Sequence, residues 1–389
     1  MPIKSEIGLC FEDAKLLQQA IENHGLSLLN KHTNLEAISG SSFMLSKKNG
    51  YLERPSVVLY CQVKGIAPLG EVAFPTTLTT SVESIEVPVD VREGYFRQGM
   101  FQQSSFCRTD MHDKLRMGIS IGVEYGGKGT LGPFVKINNG GVGFLTCAHV
   151  IVSDPRVQSA LEQSLGQKVF QPADGESGSS NQRSHDDRYC GKVSKIVFNP
   201  KICDPINGLS KCVGVDAALV TVEGNRSEDS RSFPFMADID LKNAGFDPKE
   251  PPMFGHGSVK YPLKFAEVQG VRVIKYGRTT GLTKGTVLLD GTMVKVHDAE
   301  LELKSCGEKV TMMGQYVVES LGKNRFFDGG DSGSGVFIVD KDNKLTCIGL
   351  AIGYLDQWQT VVTPIEYVLK ALGLKLDAME FEVDMDMQN

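Results

Sequence analysis

From about residue 116 the chain is cut by glycine-rich turns into short β-branched and aromatic segments, and this pattern commits it to sheet. Ile119–Tyr125, Gly132–Ile137 and Val142–Thr146 read as strands, separated by Gly126-Gly127-Lys128-Gly129 and Asn138-Asn139-Gly140-Gly141. Val, Ile, Thr and Phe suit a pleated, half-buried surface, while glycine supplies the backbone freedom that tight turns need. Several short strands at such spacing imply a barrel or a sandwich. Strands resume at Gly191–Phe198 and Val213–Val222, and a second sheet-rich block runs from Val271 to Thr363.

The flanks read differently. Phe11, Leu16, Leu17, Ala20 and Ile21 fall at helical spacing, with Glu12 and Asp13 in the first turn, so a helix is expected over 11–24 with Gly25 as its stop. Strands are expected at Phe43–Ser46, Val57–Val63 and Ile85–Val91, which makes residues 1–98 an N-terminal α/β module. An unpaired strand edge in that module would allow a homo-oligomer. Ser153-Asp154-Pro155 is expected to start a short helix, and the polar stretch Pro172–Arg188 to be an exposed loop. Near the end, Thr363-Pro364-Ile365-Glu366 has the pattern of a capping box opening a last helix, closed by Gly373. Residues 375–389 form an acidic tail, Asp377, Glu380, Glu382, Asp384 and Asp386 against Lys375.

Charge and hydropathy narrow the function. The net charge of −6 comes with no basic cluster, which argues against a nucleic-acid partner. Apolar runs such as Cys347–Ile352 fall far short of the ~20 residues that a membrane helix needs. The first residues, Met1-Pro2-Ile3-Lys4-Ser5-Glu6, lack the apolar core of a secretory signal, and Pro2 rules out N-myristoylation. Nine cysteines with no C-x-x-C pair are read as reduced thiols, which places the chain in the cytoplasm or nucleus.

Three segments carry possible chemistry. In Phe144-Leu145-Thr146-Cys147-Ala148-His149-Val150 an apolar strand delivers one histidine at its end, the placement a general base needs. In Val213-Gly214-Val215-Asp216-Ala217-Ala218-Leu219 an aspartate sits among apolar neighbours and requires a partner. In Asp328-Gly329-Gly330-Asp331-Ser332-Gly333-Ser334-Gly335 glycines on both sides of a serine let consecutive N–H groups converge on one point. Each has a plain alternative taken singly: a structural histidine, an aspartate bonding its own turn, a glycine-rich turn before a strand.

Taken together and in this order, Thr146-Cys147-Ala148-His149, Asp216-Ala217-Ala218-Leu219 and Gly330-Asp331-Ser332-Gly333 resemble the triad motifs of the trypsin-like (chymotrypsin-fold) serine peptidases. Lys275-Tyr276-Gly277-Arg278-Thr279-Thr280-Gly281 is similar to the hairpin that opens the second barrel in intracellular and bacterial members, and Val361–Leu369 to their closing strand and helix. More weakly, Val87-Pro88-Val89-Asp90-Val91-Arg92-Glu93 resembles the leading domain of a subgroup that includes the plant narrow-leaf protease. The resemblance implies a mainly β fold, a double six-stranded β-barrel with an N-terminal α/β module and a C-terminal helix. The barrels would span 116–225 and 269–374, joined by a connection over 226–268.

It also implies roles. Ser332 would be the nucleophile, His149 the general base and Asp216 its orienting acid, with Gly330 and Ser332 N–H groups as the oxyanion hole. Ala351-Ile352-Gly353 would pair with an extended protein or peptide substrate, and Phe326 would floor an apolar specificity pocket. No cofactor or metal is called for. Secreted members set a released N-terminus against the aspartate before the nucleophile. Asp331 is present but an activation site is not, so the sequence leaves its partner open. Ser334 stands where the family has a glycine, and the usual cysteine beside the histidine is Val150.

Other readings fit less well. An α/β-hydrolase needs Gly-x-Ser-x-Gly and the order Ser, Asp, His. Lys128 is followed by glycine, not Ser or Thr, which excludes a phosphate loop. His185-Asp186-Asp187 lacks further metal ligands, and His256 is the fallback base. The alternative from another class is a scaffold or binding protein that keeps the triad but is catalytically weak or inactive.

Overall fold

The N-terminal helix is longer than its sequence pattern implies. A computed structural model of the chain describes residues 9–46, 50–65, 67–68, 70–80, 85–94, 96–98, 106–124, 126–137, 140–176, 185–206, 209–224, 226–228, 233, 236, 238–252, 268–296, 310–321, 324–340, 345–356 and 358–379. In it α1 runs over Phe11–Lys31, capped by the Cys10 sulfur at the Asp13 N–H. Gly25 does not end it. This glycine is buried, and a Cβ there would lie 3.1 Å from the Met293 sulfur, so it serves a close helix–sheet approach.

The chain then enters β1 (Leu35–Ser41), which the sequence reading missed, β2 (Met44–Ser46), β3 (Gly50–Leu52), β4 (Ser56–Cys61), β5 (Thr77–Thr79), β6 (Glu86–Glu93), β7 (Arg97–Gln98) and β8 (Lys114–Leu115). Next come β9 (Ser120–Val123), β10 (Lys128–Thr130), β11 (Phe134–Lys136), β12 (Val142–Thr146), β13 (Lys168–Phe170), β14 (Tyr189–Ile206) and β15 (Leu209–Val222). The last set is β16 (Ser227–Glu228), β17 (Arg272–Gly277), β18 (Gly281–Val296), β19 (Val310–Ser320), β20 (Gly335–Val339), β21 (Leu345–Tyr354) and β22 (Gln359–Pro364).

Two large sheets result, and neither is the six-stranded barrel that the resemblance implies. The first is a seven-stranded run, β10-β9-β13-β14-β15-β12-β11, with β10 and β11 at its opposite ends. The second has eleven strands, in the order β17-β20-β21-β22-β19-β18-β1-β4-β6-β5, with β7 beside β21 and β17 also along β18. The cause of its extension is β18. This strand is buried along nearly its whole length, so its far half needs a further partner, and β1 supplies it (Ala37↔Val294, Ile38↔Met293). The N-terminal strands thus continue the second sheet. One apolar core joins the two sheets, containing Ile121, Phe144 and Leu219 from one and Phe337 and Leu350 from the other.

Other local expectations shift for physical reasons. Asp154 spends its carboxylate on Arg156, so the short helix starts later, at Gln158–Gln163. Thr363 does not cap the last helix: its hydroxyl donates to Gln315 Oε1 at 2.7 Å, and the helix runs over Ile365–Ala371. Cys203 and Cys212 face one another across the β14–β15 hairpin and form a disulfide, whereas the sequence reading had every cysteine reduced. The tail begins as a turn at Leu376–Met379 with Met379 buried, and residues 380–389 lie outside the described ones. Among the described residues no helix is long and apolar enough to cross a membrane.

Candidate active site

His149 and Asp216 are brought together by strand register. β12 and β15 pair antiparallel, with Thr146 opposite Ala218. Where β12 ends, the chain turns into a short helix, Ala148–Ile151, which sets His149 over Asp216. The ring Nδ1 lies 2.5 Å from Asp216 Oδ2, and the His149 backbone N–H donates to Oδ1 at 3.2 Å. A carboxylate only accepts, so the shared proton belongs on Nδ1 and Nε2 is left as the basic nitrogen. Asp216 is fully buried and the His149 side chain is 7% exposed, so the pair sits in low dielectric.

Ser332 lies in the loop before β20, gripped by both sheets. From the first sheet, the Thr130 N–H donates to Ser332 O at 2.9 Å and the Thr130 hydroxyl to Gly330 O at 3.0 Å. From the second, Gly333 N–H donates to Ala351 O and Ala351 N–H to Ser334 O, at 3.0 and 2.9 Å. Gly333 has φ +89, and a Cβ on it would lie 2.3 Å from Thr146 Oγ1, so only glycine fits. Ser332 Oγ and His149 Nε2 are both buried and, among the described residues, neither has a hydrogen-bond partner. Among the described residues no hydrogen bond occupies the backbone N–H of Gly330 or Ser332.

Asp331 has a partner within the chain. Lys275 Nζ lies 2.9 Å from its Oδ2, and both side chains are fully buried. The carboxylate also accepts from Thr279 N–H (2.8 Å), Thr280 N–H (3.2 Å), Thr280 Oγ1 (2.7 Å) and Asp328 N–H (3.1 Å). Burial alone would raise this carboxyl, but the Lys275 charge and these donors outweigh it and hold it below its ordinary value. Burial makes Lys275 less basic than usual, and Asp331 offsets only part of that. The turn that carries Thr279 and Thr280 is itself clamped, since Arg108 donates to Arg278 O and Thr279 O at 3.0 and 2.9 Å. The sequence reading missed Lys275 and Arg108. A lysine inside Val273-Ile274-Lys275-Tyr276 was the available signal, because a buried ammonium must have a counter-charge.

The remaining expected site residues lie close by. Phe326 is fully buried, with Lys275 Nζ 5.7 Å from its ring centroid, and it packs in the same apolar cluster as Ala351. Ala351 and Ile352 are fully buried, and Gly353 is buried beside β7. Ligand atoms of Cys147, His149 and Asp216 lie within 4.8 Å of one another, the one such cluster among the described residues. Burial, and then the Asp216 charge, push the Cys147 thiol up, which opposes the thiolate a metal would need. The fallback base His256 lies outside the described residues, as does the side chain of His185.

No family model matches this sequence, and neither does any curated protein. Among solved structures it is similar to Thermobifida fusca protease A, at 17% identity over 67% of this chain and 97% of that one, with a TM-score of 0.38. A Nocardiopsis protease gives the same figures. Cellulomonas bogoriensis chymotrypsin gives 16% identity over 67% and 97%, with a TM-score of 0.35. Overlap this slight decides nothing about chemistry.

Proposed function

We propose that this chain is a serine endopeptidase of the trypsin-like type, acting through His149, Asp216 and Ser332 and an acyl-enzyme intermediate. The observation that carries the reading is the 2.5 Å His149–Asp216 bond, which leaves His149 Nε2 buried and, like Ser332 Oγ, without a hydrogen-bond partner among the described residues. Ser332 Oγ attacks the peptide carbonyl carbon and gives its proton to His149 Nε2. The resulting imidazolium is stabilised by Asp216 and returns that proton to the leaving amine, and water then repeats the cycle on the ester. The N–H groups of Gly330 and Ser332 would hold the oxyanion, each donor contributing about 3–4 kcal/mol if it behaves as in proteases of another fold. An extended polypeptide would pair with Ala351-Ile352-Gly353, and Phe326 would favour an apolar side chain before the cut. This chemistry requires no cofactor.

One observation favours the second reading, a triad-bearing scaffold: Ser332 is fully buried. A fluorophosphonate probe separates the two. The peptidase reading expects covalent labelling at Ser332 that Ser332→Ala abolishes, and folded protein that stays unlabelled would favour the scaffold.

A further inference from the structure

The edge of β21 offered to substrate is already taken in part by the chain itself. A strand has two edges, and β22 holds one of them over Gly349–Tyr354. Along the other, Leu345–Leu350 pairs with β20, Ala351 bonds the nucleophile loop through both its N–H and its carbonyl, and Gly353 and Tyr354 pair with β7. The β7 pairing is antiparallel, Gly353↔Gln98 and Tyr354↔Arg97. Because β22 pairs with Gly353 and Tyr354 along one edge of β21, through a register shift between Ala351 and Gly353, β7 lies on the opposite edge, the one along which Ala351 grips the loop of Ser332, and the direction of β7 leads toward Ala351.

This seating is anchored. Gly94 follows β6, bonds Cys61 O at 3.0 Å, and passes so close to Leu355 that a Cβ would lie 3.1 Å from its carbonyl oxygen. Phe96, only 3% exposed, packs in the same apolar core as Ile352 and Leu355. The Tyr60 hydroxyl donates to Gln359 Oε1 at 2.7 Å, tying β4 to the first residue of β22. The residues that lead into β7 are thus fixed by burial and not by the two-residue pairing alone.

We propose that Arg97–Gln98 is a resident competitor for the substrate-pairing edge, so that the chain restrains itself toward extended polypeptides until β7 is displaced. The proposal rests on the peptidase reading above. β-Strand addition is read by backbone groups, so a segment of any sequence can hold the edge. Being tethered, β7 competes at a high effective concentration, yet two residues of pairing are few enough for a longer peptide to displace.

The test compares a small fluorophosphonate, which needs no strand pairing, with a tetrapeptidyl chloromethyl ketone, which does. Arg97→Pro combined with Gln98→Pro removes both β7 N–H groups. The tetrapeptidyl reagent should then inactivate the variant about tenfold faster than the natural chain, the factor that one or two net hydrogen bonds supply. The small probe should label both within about twofold. Equal rates with the tetrapeptidyl reagent overturn self-restraint and leave the peptidase reading intact, whereas no labelling of either protein by the small probe overturns both. A second measurement needs no variant. In the natural chain, attaching the tetrapeptidyl reagent should remove hydrogen-exchange protection from the β7 amide that faces β21, and attaching the small probe should not. Unchanged protection with the long reagent overturns the proposal.

Discussion

Lys275 Nζ and Asp331 Oδ2 meet at 2.9 Å with neither side chain exposed, one residue before Ser332. Two buried charges are costly to desolvate, and this pair is tolerable only because the carboxylate collects further donors from Thr279, Thr280 and Asp328. Arg108 extends the arrangement by holding the Arg278–Thr279 carbonyls. The peptide that carries Asp331 is therefore fixed from within the chain.

Removing one partner should cost more than removing both. Lys275→Met leaves a buried carboxylate without its counter-charge and is expected to destabilise the fold by about 3–5 kcal/mol. Adding Asp331→Asn should recover part of that loss. Chemical denaturation of both single variants and the double variant measures the coupling, and strictly additive losses would contradict a working ion pair.

Acid should weaken the fold through the same carboxyl. Asp331 is held below its ordinary value in the native state. As pH falls, the unfolded chain therefore takes up its proton first, near pH 4, and the native state loses stability from there downward. The contribution is complete above about pH 5 and is spent once the native carboxyl protonates. Thermal unfolding between about pH 5 and pH 2 should fall less steeply in Asp331→Asn than in the natural chain. Equal slopes would locate the acid sensitivity elsewhere.

Gly333 should not tolerate alanine. Its φ of +89 alone costs about 1–3 kcal/mol for a residue with a side chain. The new methyl would also meet Thr146 Oγ1 at 2.3 Å and Thr130 O at 2.8 Å. Gly333→Ala is expected to loosen the contact between the sheets, lowering the melting temperature and slowing fluorophosphonate labelling together. Labelling and melting unchanged from the natural chain would contradict it.

The sequence shows local chemistry and misses distant partners. His149, Asp216 and Ser332 stand out in the sequence as candidates because glycine-rich and small-residue flanks mark them; the structure shows the His149–Asp216 bond, and the residues next to Ser332 hold its loop through Thr130 and Ala351. β1 was not legible: in Leu35-Glu36-Ala37-Ile38-Ser39-Gly40-Ser41 every residue is buried, so it has no alternation of polar and apolar positions to read. Gly25 reads as a helix stop because a glycine packed against Met293 looks no different in sequence. The extension of the second sheet follows from the length of β18, whose partner over its far half lies more than 250 residues earlier in the chain. Cys203 and Cys212 reveal their pairing only once the hairpin register is known.

The His149–Asp216 bond yields the sharpest expectation for activity. Asp216→Asn keeps the size of the side chain but offers an amide that can donate where only an acceptor is wanted, so the imidazole can settle with its proton on Nε2. A histidine in that tautomer cannot accept from Ser332, and the loss in the Ser-His-Asp triads of other proteases is about 10⁴-fold in rate. Asp216 also accepts from the His149 backbone N–H at 3.2 Å, a bond that the asparagine oxygen can keep, so the local turn should survive. The expected result is fluorophosphonate labelling slowed by about 10⁴-fold at neutral pH with an unchanged circular dichroism spectrum. Labelling at the natural rate would mean that Asp216 supports the turn at His149 and has no part in setting its proton.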